Sequence, residues 1–299
     1  MRKTFVILTV SITFAVVLFC AWHFHFFPFK APYVRIPVKF SSTQTPYTEI
    51  EIEKEKYYLI VDLGSDAELG IKTKTLEKIN KTLIGQAYWS DVKNTEYESL
   101  KYQIPKVKMG KVQINNAKAH DGYTDESVHI WGKERTADDP ISGSIGIKLL
   151  GMSRHLLLDF NHSVFFLLRS RESLKYLHKK GYLLENFVEV PFDGANHRII
   201  FFADTKVGQK RFLLDTGASH SFIKPTFMTE EERTAMSDQI VTITLPELVI
   251  GGLNFGEIDL YAYDFSDKFA EFDGVLGMDF CRKHVIYLDF NEKKALISP

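Results

Sequence analysis

Phe212-Leu-Leu-Asp-Thr-Gly-Ala-Ser219 is the stretch around which the rest of the chain can be read. Large apolar residues lead into Asp215, a hydroxyl residue follows at Thr216, then Gly217 and the small pair Ala218 and Ser219. The apolar run reads as a buried strand, and the glycine as a tight turn that needs an open backbone. A carboxylate at the end of a buried strand is costly unless it has a partner or a task. Taken alone, an Asp-Thr-Gly triplet is a weak signal.

The chain repeats it. Tyr58-Leu-Ile-Val-Asp-Leu-Gly-Ser65 has the same pattern centred on Asp62, an offset of 153 (215 minus 62). Val107-Lys-Met-Gly-Lys-Val112 resembles Leu248-Val-Ile-Gly-Gly-Leu253 at an offset of 141 (248 minus 107). Gly143-Ser-Ile-Gly146 matches Gly274-Val-Leu-Gly277 at 131 (274 minus 143), and Leu158-Asp-Phe-Asn161 matches Leu288-Asp-Phe-Asn291 at 130 (288 minus 158). Blocks that recur in one order with slowly drifting offsets mark an internal duplication.

Asp-Thr-Gly-Ala-Ser followed by Val275-Leu276-Gly277 resembles the pepsin and retropepsin type of aspartic protease, over about residues 33 to 299. The resemblance implies a mainly β, bilobal pepsin-like fold of two retropepsin-like β-barrel halves. Each half would donate one catalytic aspartate, Asp62 and Asp215, with Gly64, Ser65, Thr216 and Gly217 in support. The implied organisation is an N-terminal lobe with a flap over 33–168, a linker helix over 169–187 and a C-terminal lobe over 188–299. The substrate would be a polypeptide, with no cofactor and no metal, and the molecule a monomer built as an intramolecular pseudo-dimer. The N-terminal copy departs from the pattern at Leu63, where the family has Thr or Ser. By the same resemblance the Ser65 hydroxyl bonds Asp62 while Ala218 offers nothing to Asp215. Asp62 is therefore expected to be the more acidic member and Asp215 to hold the shared proton.

At 299 residues the chain can hold two core-bearing units. Its hydrophobic content of 45% and charged content of 25% are globular values. A formal net charge of −1 gives no electrostatic case for nucleic acid. The two cysteines, Cys20 and Cys281, imply no disulfide framework, and Cys281 reads as buried filler.

Met1-Arg-Lys3 is basic, and Thr4 to Trp22 is apolar and uncharged. Such a run rises about 28 Å as a helix, enough to cross a bilayer core. Its exit, Trp22-His-Phe-His-Phe-Phe-Pro28, is aromatic and bulky, which suits a membrane interface better than a cleavage site. The expectation is an uncleaved signal anchor over 4–22, with a cytoplasmic tail at 1–3 and the remainder outside, in a bacterial inner membrane facing the periplasm.

Leu76, Ile79 and Leu83 have helical spacing, which predicts a helix from Thr73 to Leu83. Gly85 to Pro105 is aromatic and alternating, which predicts a hairpin; by resemblance it is the flap, with Tyr88 or Tyr97 as its aromatic. Arg169 to Gly181 reads as a linker helix capped by Gly181, and Glu230-Glu-Glu-Arg233 as a helix start. No P-loop, dinucleotide turn, His-Glu-x-x-His or Gly-x-Ser-x-Gly motif is present. Two readings follow: a membrane-anchored aspartic endopeptidase, or a protease-like module that binds extended polypeptide without cutting it, the second favoured by Leu63.

Overall fold

The computed structural model describes residues 29–90, 96–121, 139–194, 197–206, 208–228, 241–263 and 270–299, and it is mainly β. The expected anchor over 4–22, residues 91–95 within the expected flap segment and the expected helix start at 230–233 lie outside those residues. Among the described residues no helix is long and apolar enough to cross a membrane.

Each copy of the repeated motif folds into the same local arrangement. The strand Glu55–Asp62 runs parallel to Ile141–Gly146, which lies antiparallel to Leu69–Ile71. In the second copy Gly208–Leu214 runs parallel to Gly274–Leu276, which lies antiparallel to Phe222–Ile223. The strand that threads between its neighbours is covered on both faces, and so are the ends of the aspartate strands. Leu59, Ile60, Val61, Phe212, Leu213 and Leu214 are all buried, which is why these runs show continuous apolar character instead of alternation. The threading also explains the two terminal glycines. A Cβ on Gly146 would fall 2.3 Å from the Ala67 carbonyl oxygen, and one on Gly277 would fall 2.3 Å from that of His220. Any side chain there would push the threading strand away from the turn it supports.

The two units are joined by six antiparallel strands. In order these are Tyr33–Pro37, Val164–Leu168, His155–Asp159, Ile286–Asp289, Lys294–Ile297 and Val188–Asp193. At the centre Leu156 faces Leu288, Leu157 faces Tyr287 and Leu158 faces Ile286. Residues 158 and 288 are equivalent in the repeat, so exchanging the copies leaves this register unchanged. A local two-fold axis therefore passes between Leu157 and Tyr287. The side chains around it are buried, so the seam belongs to the hydrophobic core.

The expected flap is a hairpin of Thr82–Ser90 against Glu96–Met109, with Tyr88 opposite Glu98 and Trp89 opposite Tyr97. It ends the eight-stranded sheet as an edge. Its register slips between Leu83 and Gly85, and Gly85 has φ 150°, a value that favours glycine. Leu83, Ile84, Tyr88 and Leu100 on this hairpin are all exposed.

The helix expected from Thr73 to Leu83 stops at Leu76. Lys81 Nζ donates to the Leu76 carbonyl at 2.6 Å, and Thr82 and Leu83 join the ladder opposite Gln103 and Tyr102. Leu76 and Ile79 are buried as the spacing requires, but Leu83 is 57% exposed. Ladder hydrogen bonds outweigh one further apolar position on a short helix. The linker region carries a 3₁₀ turn at Arg171–Ser173 and a helix at Leu174–His178, followed by Gly181 at φ 94°.

Candidate active site

Asp62 and Asp215 end their strands in the same way. Behind the first turn the Ile147 N–H donates to the Ser65 carbonyl at 2.9 Å, and behind the second the Met278 N–H donates to the Ala218 carbonyl at 2.9 Å. The threading strands thus hold both turns at equivalent places. The Asp215 N–H donates to the Leu276 carbonyl at 3.0 Å, which fixes the carboxyl's point of attachment.

The turns meet face to face. A Cβ built on Gly64 would lie 2.4 Å from Asp215 Cγ, and one on Gly217 would lie 2.7 Å from Asp62 Oδ1. Each glycine is flush against the other turn's carboxyl, with no room for a methyl group. The Cβ position at Gly217 lies 2.7 Å from Asp62 Oδ1 and 3.1 Å from Asp215 Oδ1, so the two carboxyls are immediate neighbours.

One hydroxyl ties the turns together. Thr216 Oγ1 accepts from the Leu63 N–H at 3.0 Å and donates to the Val61 carbonyl at 2.6 Å. Thr216 is fully buried, so both bonds form out of reach of water. The mirror-image pair would need a hydroxyl at position 63. Leu63 is also fully buried and packs in the apolar core instead.

Burial pushes both carboxyls above the ordinary carboxylate range. For Asp62 burial acts first and the charge of Asp215 second, and together they raise it to about 8. Asp215 is raised by burial too, but the backbone N–H groups of Gly217, Ala218 and Gly64 favour its anion, whereas only Ser65 and Gly64 do so for Asp62. The Gly217 N–H reaches Asp215 Oδ1 at 2.8 Å and the Ser65 N–H reaches Asp62 Oδ1 at 3.0 Å. Both acids are raised and titrate as one coupled pair, and the donors around them are not those the sequence expectation counted. That expectation counted side-chain hydroxyls and missed main-chain donors. Ser65 serves Asp62 through its N–H, while its hydroxyl lies 3.4 Å from the Ala67 N–H. Ala218, expected to offer nothing, donates its N–H to the Asp215 main-chain carbonyl at 3.3 Å and turns that N–H dipole toward the carboxylate.

Other polar groups close around the second turn. Ser221 Oγ donates to Asp279 Oδ1 at 2.6 Å and accepts from the Gly277 N–H at 3.0 Å. Asp279 Oδ2 takes the Ser221 N–H at 3.0 Å. Arg198 is ion-paired with Glu271, stands over the Phe272 ring, and feels the charges of both Asp215 and Asp66. Nothing in the sequence marks Arg198, a single cation before an apolar pair; Asp279 could have been noticed two residues past the Val-Leu-Gly block. His220 hydrogen-bonds Ser219 Oγ at 2.9 Å and packs edge-on against Tyr261. Of the two flap candidates, Tyr88 is 74% exposed and Tyr97 is half-buried on the facing strand. Among the described residues no cluster of three or more His, Cys, Asp or Glu is placed to hold a metal ion.

No protein-family model matches the chain, and no curated protein matches it in sequence. Solved structures do match it in shape. An aspartic proteinase from Irpex lacteus superposes with a TM-score of 0.58 at 12% identity, covering 89% of this chain and 97% of that one. Conglutin gamma, a basic 7S globulin from lupine seeds, gives 0.59 at 9% identity over 90% and 95% of the two chains. The basic 7S globulin from soybean gives 0.57 at 9% identity over 90% and 95%. At such identities likeness speaks for architecture alone: the chain has a pepsin-like, mainly β fold, shared by a proteinase and by seed globulins.

Proposed function

We propose that this chain is a membrane-anchored aspartic endopeptidase that hydrolyses peptide bonds of extracytoplasmic polypeptides, with Asp62 and Asp215 as the catalytic pair. One observation carries the reading. The two copies of the turn bring their buried carboxyls side by side, each against the other's glycine, and burial raises both. A fold needs no such arrangement for its stability, since two buried acids are a cost. A reaction in which water adds to a peptide carbonyl needs it.

In this scheme the Asp215 carboxylate accepts a proton from the attacking water as its oxygen bonds to the carbonyl carbon. The Asp62 carboxyl gives its proton to the carbonyl oxygen, which yields a neutral gem-diol. Collapse returns a diol proton to Asp62, and the proton held on Asp215 passes to the departing nitrogen as the C–N bond breaks. Atoms and charges balance, and the pair ends as it began. The exposed apolar side chains Leu83, Ile84, Tyr88 and Leu100 give the hairpin a surface for an extended substrate. The apolar run Thr4 to Trp22 supports anchoring.

The test is incubation of the purified chain with unfolded casein between about pH 3 and 7, with and without a statine-type inhibitor. Inhibitor-sensitive fragments support the reading, and intact casein throughout refutes it. A second reading, a module that grips extended polypeptide without cutting it, draws on Leu63 and on the 7S globulins that share the fold. It predicts casein binding by the parent with no fragments.

A further inference from the structure

An open cavity of ≈ 510 Å³ lies away from the aspartate turns, at the end of the six-stranded seam where the described chain begins. Its charged lining is one-sided. Among the described lining residues Lys30, Arg154, Arg169 and Lys175 contribute four cations and Glu172 one acid, with the Asp289 carboxylate 3.6 Å from His155 Nδ1. His155, 6% exposed, forms part of the wall, its ring fixed by a 2.8 Å hydrogen bond between Nδ1 and the Tyr287 hydroxyl.

The walls are tied to one another through the main chain. The Arg169 N–H donates to the Pro32 carbonyl at 3.0 Å, which joins the entering chain to the strand beside it. The Phe290 N–H donates to the Arg154 carbonyl at 2.9 Å, which joins the two units. Arg154 itself holds φ 63°, a left-handed conformation that costs an arginine energy and fixes where its side chain leaves the backbone. With four cations on its lining the cavity has a positive potential, which favours an anion there. Two guanidinium groups suit a phosphate, whose oxygens accept paired N–H donors.

We propose that this cavity binds the phosphate group of an anionic lipid headgroup. The choice of lipid as the source rests on the anchored reading above. Lys30 follows Trp22 by eight residues, and eight residues extend to at most about 28 Å, so an anchor at 4–22 would keep the cavity within that distance of the bilayer surface. Basic pockets beside membrane segments hold acidic headgroups by the same physics.

The experiment is ³¹P NMR titration of the full chain in a neutral detergent. The probes are glycerophosphoglycerol, glycerophosphocholine and inorganic phosphate. The parent is expected to broaden the glycerophosphoglycerol signal saturably, and to bind glycerophosphocholine more weakly because its quaternary cation meets the same positive lining. The double variant Arg154→Gln, Arg169→Gln should bind glycerophosphoglycerol at least about tenfold more weakly, the loss of one charge-assisted contact or more. Should the double variant fold poorly by circular dichroism, Lys175→Glu at an exposed position must by itself weaken binding. The absence of saturable broadening by the parent overturns the proposal, as does unchanged binding by a folded variant. Tighter binding of inorganic phosphate than of glycerophosphoglycerol overturns the lipid source. The headgroup assay requires neither anchoring nor peptide hydrolysis, so membrane fractionation and casein cleavage report separately on the proposed function.

Discussion

The two aspartate turns share a backbone and differ in what holds them. The second turn supplies the hydroxyl, Thr216 Oγ1, that bonds both the Leu63 N–H and the Val61 carbonyl of the first, and Asp215 also draws on the Gly64 N–H of the opposite turn. The first turn supplies apolar volume through Leu63. The difference teaches that a symmetric pair of acids can be given unequal surroundings without changing either acid. The surrounding N–H groups and one hydroxyl suffice. It also separates two tasks that a symmetric design would combine, since cohesion at the first turn comes from packing and alignment at the second from hydrogen bonds.

The strongest way to break the comparison is to remove either acid. Asp62→Asn and Asp215→Asn should each lower casein cleavage by roughly 10²–10⁴-fold, the usual contribution of a positioned proton donor or acceptor. If the turns acted independently, each variant would keep about half the activity. Next in size is Gly64→Ala. Its methyl group would meet the Asp215 carboxyl at 2.4 Å, so the turns must separate. Loss of measurable turnover with a retained far-ultraviolet circular dichroism spectrum is expected; full activity would show that the turns do not approach as described.

Thr216→Val keeps shape and removes both cross-unit bonds. A cost of about 1–3 kcal/mol in stability is expected, together with a fall in kcat, because the Leu63 N–H and Val61 carbonyl are left buried without that partner. Leu63→Thr probes the other side. Burial of the isobutyl group is worth about 1.5–3 kcal/mol, so the melting temperature should drop even if a new hydroxyl restores the mirror-image bonds. Turnover should rise several-fold through tighter alignment of the carboxyls. A variant that melts with the parent and gains no activity would show that position 63 limits neither.

A separate readout, on stability and not on turnover, is its pH dependence. Asp62 is raised in the folded chain to about 8, above its unfolded value near 3.9. Between those values unfolding releases a proton. Its contribution to stability is therefore full below the unfolded value and is lost as pH rises through the folded one. Asp62→Asn should flatten that slope, leaving the variant more stable than the parent above about pH 8. Melting curves from pH 4 to 9 check the sign, and a parallel pair of curves would show that Asp62 does not carry this slope.

Much of this was legible in the residues. Asp62 and Asp215 stand at the ends of apolar runs, and the glycines at 64, 217, 146 and 277 recur where the chain passes closest to itself. Those are local patterns with one physical solution. The helix end at Leu76 was not legible, because Leu83 fits helical spacing yet serves as an edge-strand residue through pairing with Tyr102, distant in sequence. The donors around the two acids were hidden for a related reason. Main-chain donors have no letter in the sequence, and the count of N–H groups around Asp215 is a property of the folded turn. The cationic cavity draws on positions 30, 154, 169 and 175, which only the seam brings together.

The seam carries a record of its own. On a two-fold axis a residue faces its own counterpart, so in a dimer of identical chains the central pair must be two copies of one residue. Here that pair is Leu157 and Tyr287. The Tyr287 hydroxyl reaches His155, whose counterpart at position 285 is valine. No homodimer could present leucine to tyrosine across its own axis, nor satisfy one buried hydroxyl while leaving its image without a histidine. Covalent fusion lifted the requirement of self-complementarity, and the axis is where that freedom is most visible.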